Sequence, residues 1–305
     1  MKYIEQLLRI NNKQKLWYYL PFSLFFFGVM FLNWLFIKIS NVSTNEAIKM
    51  NIEKFGKNMN FLITIGPMVF LFIFLIVWVV TVHKQSIVSL TTSRRKIDWK
   101  RILFSFSVWS IVTIGVFIYS YLSNPEDYVF NFKPLPFLVF FILAVILIPL
   151  QTSFEEYLMR GYLMQGIGLA THSRAIALFT TSILFGLLHM SNPEVEQIGY
   201  SVMIYYIGTG FFLGIISLMD DGIELALGFH AANNLIGVLL VTSDWTAFQT
   251  NSLFISTASD VQISPVEYLV QVFVILPLLI LLFAKKYKWK NWKAHLFGRV
   301  VIEEN

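Results

Sequence analysis

The stretch "LPFLVFFILAVILIPLQTSFEEYLMRGYLMQ", residues 135–165, opens as an apolar run and then places Glu155, Glu156 and Arg160 within a few residues of one another. Helical patterning continues from Leu135 to Ala170, and roughly 36 residues would make a helix of about 54 Å, longer than the roughly 30 Å hydrocarbon core of a bilayer. Such a helix must tilt, break or emerge. Pro149, just ahead of the acidic pair, is the expected break point because it lacks an N–H and crowds the preceding turn. The stretch therefore reads as a membrane span that carries charge inward.

Working outward, similar runs lie at Trp17–Ile39, Phe61–Val82, Ile102–Leu122, Leu135–Leu150, Ala175–His189, Tyr200–Met219, Ile223–Val241 and Val266–Ala284. The fold class is all-α, a polytopic membrane helical bundle with about eight transmembrane helices. Composition agrees: 56% of the 305 residues are hydrophobic, 13% are charged and the mean hydropathy is +0.66. Trp17, Tyr18, Trp99, Tyr128, Tyr287 and Trp289 stand near the ends of apolar runs, as residues at membrane–water interfaces do. The first run is too long for a secretory signal and has no small-residue cleavage site behind it, so it reads as a retained span.

The chain is basic, with a net charge of +5. Its Lys and Arg flank the apolar runs, which points to membrane orientation and away from nucleic acid. An eight-span arrangement puts 17 of the 23 basic residues on one side and only Lys49, Lys54, Lys57 and Lys133 on the other. Both termini are accordingly expected in the cytoplasm. Residues 284–297, "AKKYKWKNWKAHLF", form a basic–aromatic interfacial segment suited to anchoring on an anionic leaflet. Residues 242–264 read as a polar loop. Residues 1–305 are expected to form a single integral-membrane domain, with no internal repeat. The absence of cysteine excludes disulfides, thiolate metal sites and cysteine nucleophiles.

Ionisable side chains inside spans face protein or water-filled cavities, so they locate candidate function. His83, His172, Glu224, Glu267 and His295 fall near span ends, leaving Glu155, Glu156, Arg160, His189 and His230 deep, with Asn234 beside them. Glu156 and Arg160 are four apart, the spacing and order of a helical ion pair. Glu155 is rotated about 100° from Glu156 and is free to point elsewhere. "FGLLHM" sets Phe185 and His189 one turn apart, and "HAANN" does the same for His230 and Asn234. A carboxylate and an imidazole can share a water, so Glu155 and His189 could act together as general base. His230 and Asn234 could present N–H donors to the oxygen that becomes negative when water attacks a carbonyl. The same polar set could instead serve as interhelical hydrogen-bond glue, in a non-enzymatic immunity or scaffold protein, or as a proton relay in a transporter. H-E-x-x-H, G-x-S-x-G, G-x-G-D and Walker A sequences are all absent.

The ordered trio Glu155-Glu156-x-x-x-Arg160, Phe185-x-x-x-His189 and His230-x-x-x-Asn234 resembles the CPBP, or Abi, family of intramembrane endopeptidases, which includes type II CAAX prenyl proteases and bacteriocin-related proteins. The resemblance covers residues 140–240, including "RGYL" from Arg160 to Leu163. Met159 departs from the aromatic residue that often precedes the arginine. The resemblance implies that Glu155 and His189 activate water, that His230 and Asn234 stabilise the oxyanion, and that Glu156, Arg160 and Phe185 organise the site. It implies a membrane-associated peptide or protein substrate in a lipid bilayer, the plasma membrane of a bacterium. It accommodates both a metal-free glutamate mechanism, the expectation here, and a zinc ion held by Glu155, His189 and His230.

Overall fold

The computed structural model describes residues 2–9, 16–40, 42–257 and 265–300; the remainder of the expected polar loop, 258–264, and Lys13 and Lys15 of the basic N-terminus lie outside the described residues. Among the described residues fourteen α-helices follow in order: α1 Leu20–Ser40, α2 Thr44–Phe55, α3 Lys57–Thr81, α4 Ile87–Thr91, α5 Trp99–Ser123, α6 Pro134–Glu156, α7 Met164–Thr171, α8 Arg174–Leu187, α9 Pro193–Ile198, α10 Met203–Met219, α11 Glu224–Leu240, α12 Pro265–Val270, α13 Leu276–Tyr287 and α14 Trp292–Leu296. The fold is an all-α polytopic bundle. Among the described residues six helical stretches are long and apolar enough to cross a membrane, and two of the expected spans, α8 and α11, are shorter apolar helices of 14 and 17 residues. The short strands β1 Tyr128–Phe130, β2 Val241–Thr242 and β3 Phe254–Ser256 join in the order β1-β3-β2, with β1 antiparallel and β2 parallel to β3.

The expected break at Pro149 does not occur. α6 runs through the proline, with Thr152 Oγ1 donating back to the carbonyls of Ile148 at 3.0 Å and Pro149 at 3.3 Å. The irregularity comes eight residues later, where Tyr157–Leu163 forms a π-helical stretch between α6 and α7. A π turn holds more residues than an α turn and concentrates at functional sites. All seven residues of this stretch are buried, so the charged segment passes through the middle of the bundle, not along its surface.

Two close helix approaches fix the surroundings. A Cβ on Gly228 of α11 would collide with the backbone of Ile102 and Phe106 on α5, and one on Gly210 of α10 would collide with the backbone of Ser182 on α8. Glycine alone permits these contacts, which draw α5 against α11 and α8 against α10.

Both described ends of the chain meet at one end of the bundle. Lys2 Nζ donates to Ala294 O, and Arg174 pairs with Glu5 at 2.6 Å. The basic–aromatic segment is not one helix: it belongs to α13 up to Tyr287, turns through left-handed Lys288 and Asn291, and re-forms as α14. Trp289, in that turn, donates to Asp220 Oδ1 at 3.0 Å.

Candidate active site

The end of α6 and the π stretch carry the acidic pair and the arginine, α8 and the turn after it carry Phe185 and His189, and α11 carries His230 and Asn234. Arg160 Nη1 donates to Glu156 Oε1 at 2.9 Å, and both side chains are fully buried. Arg160 Nη2 donates to Gly210 O at 3.0 Å, using the close approach of α8 and α10, and its guanidinium lies 4.2 Å from the ring centre of Phe185. The phenylalanine thus supplies a cation–π face for the buried arginine.

Glu156 does more than neutralise Arg160. Its Oε1 also lies 2.8 Å from His230 Nδ1. A carboxylate only accepts, so Nδ1 carries the hydrogen and the other nitrogen, Nε2, is turned toward Glu155, 3.7 Å from its Oε2. Glu155 is indeed directed apart from the Glu156–Arg160 pair: its Oε1 accepts a hydrogen bond from Gln151 Nε2. Among the described residues Glu155 Oε2, Glu156 Oε2 and Arg160 Nε are buried atoms without a hydrogen-bond partner. A buried polar atom left so costs about 1–3 kcal/mol.

His189 lies beyond the end of α8, not within a span, on a turn closed by its N–H to Gly186 O at 3.0 Å. Its Nδ1 is 2.9 Å from Phe185 O, its ring stacks on Tyr206 at 4.3 Å, and it is within electrostatic reach of Glu155, His230 and Arg160. Asn234 Nδ2 donates to Gln151 Oε1 at 3.2 Å. The structure therefore brings all seven sequence-identified residues into one region, five of them buried and His189 and Asn234 half-buried, and adds Gln151, Tyr206 and Asn233 to it. Gln151 carried a readable signal, an amide four residues before Glu155 on the same helix face.

Outside the spans, Glu194 on α9 accepts from Ala247 N–H at 2.9 Å, and burial holds its carboxyl above the ordinary carboxylate range. Asn192, two residues before it, donates to Tyr206 Oη at 3.5 Å, the ring on which His189 stacks.

The structure gives the zinc set no support: among the described residues no group of three or more His, Asp or Glu is gathered as a metal would need.

Residues 134–236, from the first residue of α6 to within α11, match the family described as Rce1-like, type II CAAX prenyl endopeptidase Rce1-like. The resemblance to the intramembrane endopeptidases holds. The matched family is described as one of endopeptidases, and the match takes in every residue from Glu155 to Asn234. An uncharacterized protein of Bacillus subtilis (strain 168), YyaK, is 28% identical over 240 residues, which cover 76% of this chain and 80% of that protein. No solved structure matches.

Proposed function

We propose that the protein is an intramembrane endopeptidase that hydrolyses a peptide bond of a membrane-associated protein or peptide, with CAAX-type processing as the reading suggested by the family's description. The observation that carries it is Glu155: one oxygen is held by Gln151, and the other is buried, without a donor, and faces His230 Nε2. A carboxylate oxygen so placed takes a proton from water as the water oxygen attacks the scissile carbonyl carbon. The carbonyl π electrons move to its oxygen, which becomes an oxyanion. Collapse of that intermediate breaks the C–N bond, and the proton on Glu155 passes to the leaving nitrogen.

His189 is the second group at the water, its Nε2 opposite the nitrogen committed to Phe185 O. His230 with both nitrogens protonated donates Nε2–H to the oxyanion, its charge balanced by the carboxylates on either side. Asn234 offers the N–H that Gln151 does not use. Glu156 and Arg160 hold His230 and the π stretch. An apolar groove of about 360 Å³ between α1 and the end of α8, lined by Phe27, Met30, Trp34, Leu187 and Met190, opens beside the His189 turn and gives a lipid-embedded segment a lateral way in. Cytoplasmic termini belong to the same reading.

The test is a comparison of protein termini in membranes from cells that produce the wild-type protein or Glu155→Gln at equal levels. Specific termini cut only with the wild type support the proposal. Identical termini in the two samples overturn it.

A further inference from the structure

Gln151 ties Glu155 to a line of hydrogen bonds that crosses four helices. On α5, Trp109 donates Nε1–H to Asn233 Oδ1 at 3.0 Å, and on α10 Tyr205 donates its hydroxyl to the same oxygen at 3.4 Å. Asn233 Nδ2 donates to Asn234 Oδ1 at 3.1 Å. Asn234 Nδ2 donates to Gln151 Oε1 at 3.2 Å, and Gln151 Nε2 donates to Glu155 Oε1. Every bond runs the same way, toward the carboxylate.

That direction is forced by chemistry. An indole N–H can only donate, so the Asn233 atom facing Trp109 must be oxygen, which turns its nitrogen toward Asn234. The Asn234 atom that receives this bond is then oxygen, its nitrogen faces Gln151, and the same logic aims the Gln151 nitrogen at Glu155. At the far end an ionised carboxylate can only accept. A donor-only group at one end and an acceptor-only group at the other leave three amides a single arrangement.

We propose that Trp109, Tyr205, Asn233 and Gln151 are positioning residues for the water-activating carboxylate. Acting through the line of amides, they pin Glu155 Oε1 so that Oε2 is the oxygen presented to water and to His230 Nε2. The proposal rests on the function proposed above. It also assigns the two Asn234 N–H groups: one holds Gln151, and the other is left for the oxyanion. Displacing a reacting group by about 1 Å can cost on the order of 100-fold in rate, so a carboxylate that loses its anchor should react slowly even where binding is intact.

The experiment is a mutant cycle on Gln151→Met, on the pair Trp109→Phe with Tyr205→Phe, and on all three changes together. The readout is the rate at which Glu155-dependent termini are cut in pulse-labelled cells, per folded molecule, alongside the melting temperature of each purified variant. Gln151→Met is expected to slow cutting about tenfold to 100-fold, and the Trp109/Tyr205 pair about three- to tenfold. Added to Gln151→Met, the pair should cost nothing further, because the line is already cut at its last bond. If Gln151→Met does not accumulate, Gln151→Asn, which keeps the amide but withdraws it by one methylene, takes its place. Losses that multiply, or that follow the melting temperatures, overturn the proposal, because hydrogen-bond glue between helices would behave in that way. Cutting at the wild-type rate by Gln151→Met, with Glu155→Gln inactive, overturns the positioning line alone. Cutting by Glu155→Gln overturns the proposed function and the line with it.

Discussion

The bundle buries charge in several places, and two of them are built differently. At the end where the described termini meet, Asp220 and Glu224 are almost wholly buried, yet all four of their carboxylate oxygens accept hydrogen bonds. Asp220 takes Arg94, Arg101 and Trp289, and Glu224 takes Arg94 at 3.0 Å and the Asp98 N–H at 3.2 Å. In the middle of the bundle Glu155, Glu156 and Arg160 are as deeply buried, but each keeps one polar atom without a partner among the described residues. A satisfied cluster ties elements together: here it joins the loop before α5, the turn between α10 and α11, and the turn after α13. An unsatisfied one stores unused hydrogen-bonding capacity where a substrate and water can take it up. Under the proposed function, equal burial serves stability in one region and chemistry in the other.

Substitutions that separate the two roles test this contrast. The largest effect is expected for Glu155→Gln, which removes the base while keeping shape and one acceptor: cleavage should fall by about 10²- to 10⁴-fold with little change in melting temperature. Glu156→Ala should damage both roles, stranding Arg160 and freeing His230. Breaking such a buried pair costs about 3–5 kcal/mol, read as a loss of folded yield and of denaturant resistance together with activity. Arg94→Met should damage only one. It leaves Asp220 and Glu224 short of a cation at a site where Arg94 is a quarter exposed, so the loss should be near the low end, about 3 kcal/mol, with cleavage per folded molecule within about twofold of wild type.

The smallest effect sharpens the contrast. Glu194 also has a buried oxygen without a partner among the described residues, but it has no cation and lies outside the set around Glu155. Glu194→Gln should leave cleavage within about threefold of wild type. Its folded-state carboxyl titrates above the ordinary 4.5, so the folded state disfavours the ionised form. The stability this group contributes is therefore fullest below about pH 4.5 and declines as pH rises through the folded value. Melting curves at pH 4 and pH 7 should show a smaller loss on going to pH 7 for Glu194→Gln than for wild type.

Much of the candidate site was legible because its pairings obey helical spacing. Glu156 with Arg160 and Phe185 with His189 are each four residues apart, and the structure keeps both pairs in contact, although Arg160 lies in the π stretch and His189 past the end of α8. His230 with Asn234 also share a turn, but the use of each depends on another helix: His230 turns to Glu156, and Asn234 to Gln151. Spacing along α11 cannot show that. Pro149 carried a strong local signal for a break, yet the helix runs through it, whereas Tyr157–Leu163, where the helix does depart from regularity, contains no residue that marks a π turn in advance. The Arg94–Asp220–Glu224 cluster was passed over for a related reason. Its partners lie more than 120 positions apart, and Glu224 reads from sequence as a residue near a span end, although it is fully buried.

The most direct test uses purified protein in proteoliposomes and a membrane-tethered synthetic peptide that spans one of the termini cut in wild-type cells. Wild type, Glu155→Gln and Arg94→Met are compared for product formed per folded molecule. Cleavage by wild type and Arg94→Met, and none by a Glu155→Gln that melts at the wild-type temperature, is the predicted result. A Glu155→Gln that cleaves at the wild-type rate would contradict the assignment of Glu155 as the base that activates water.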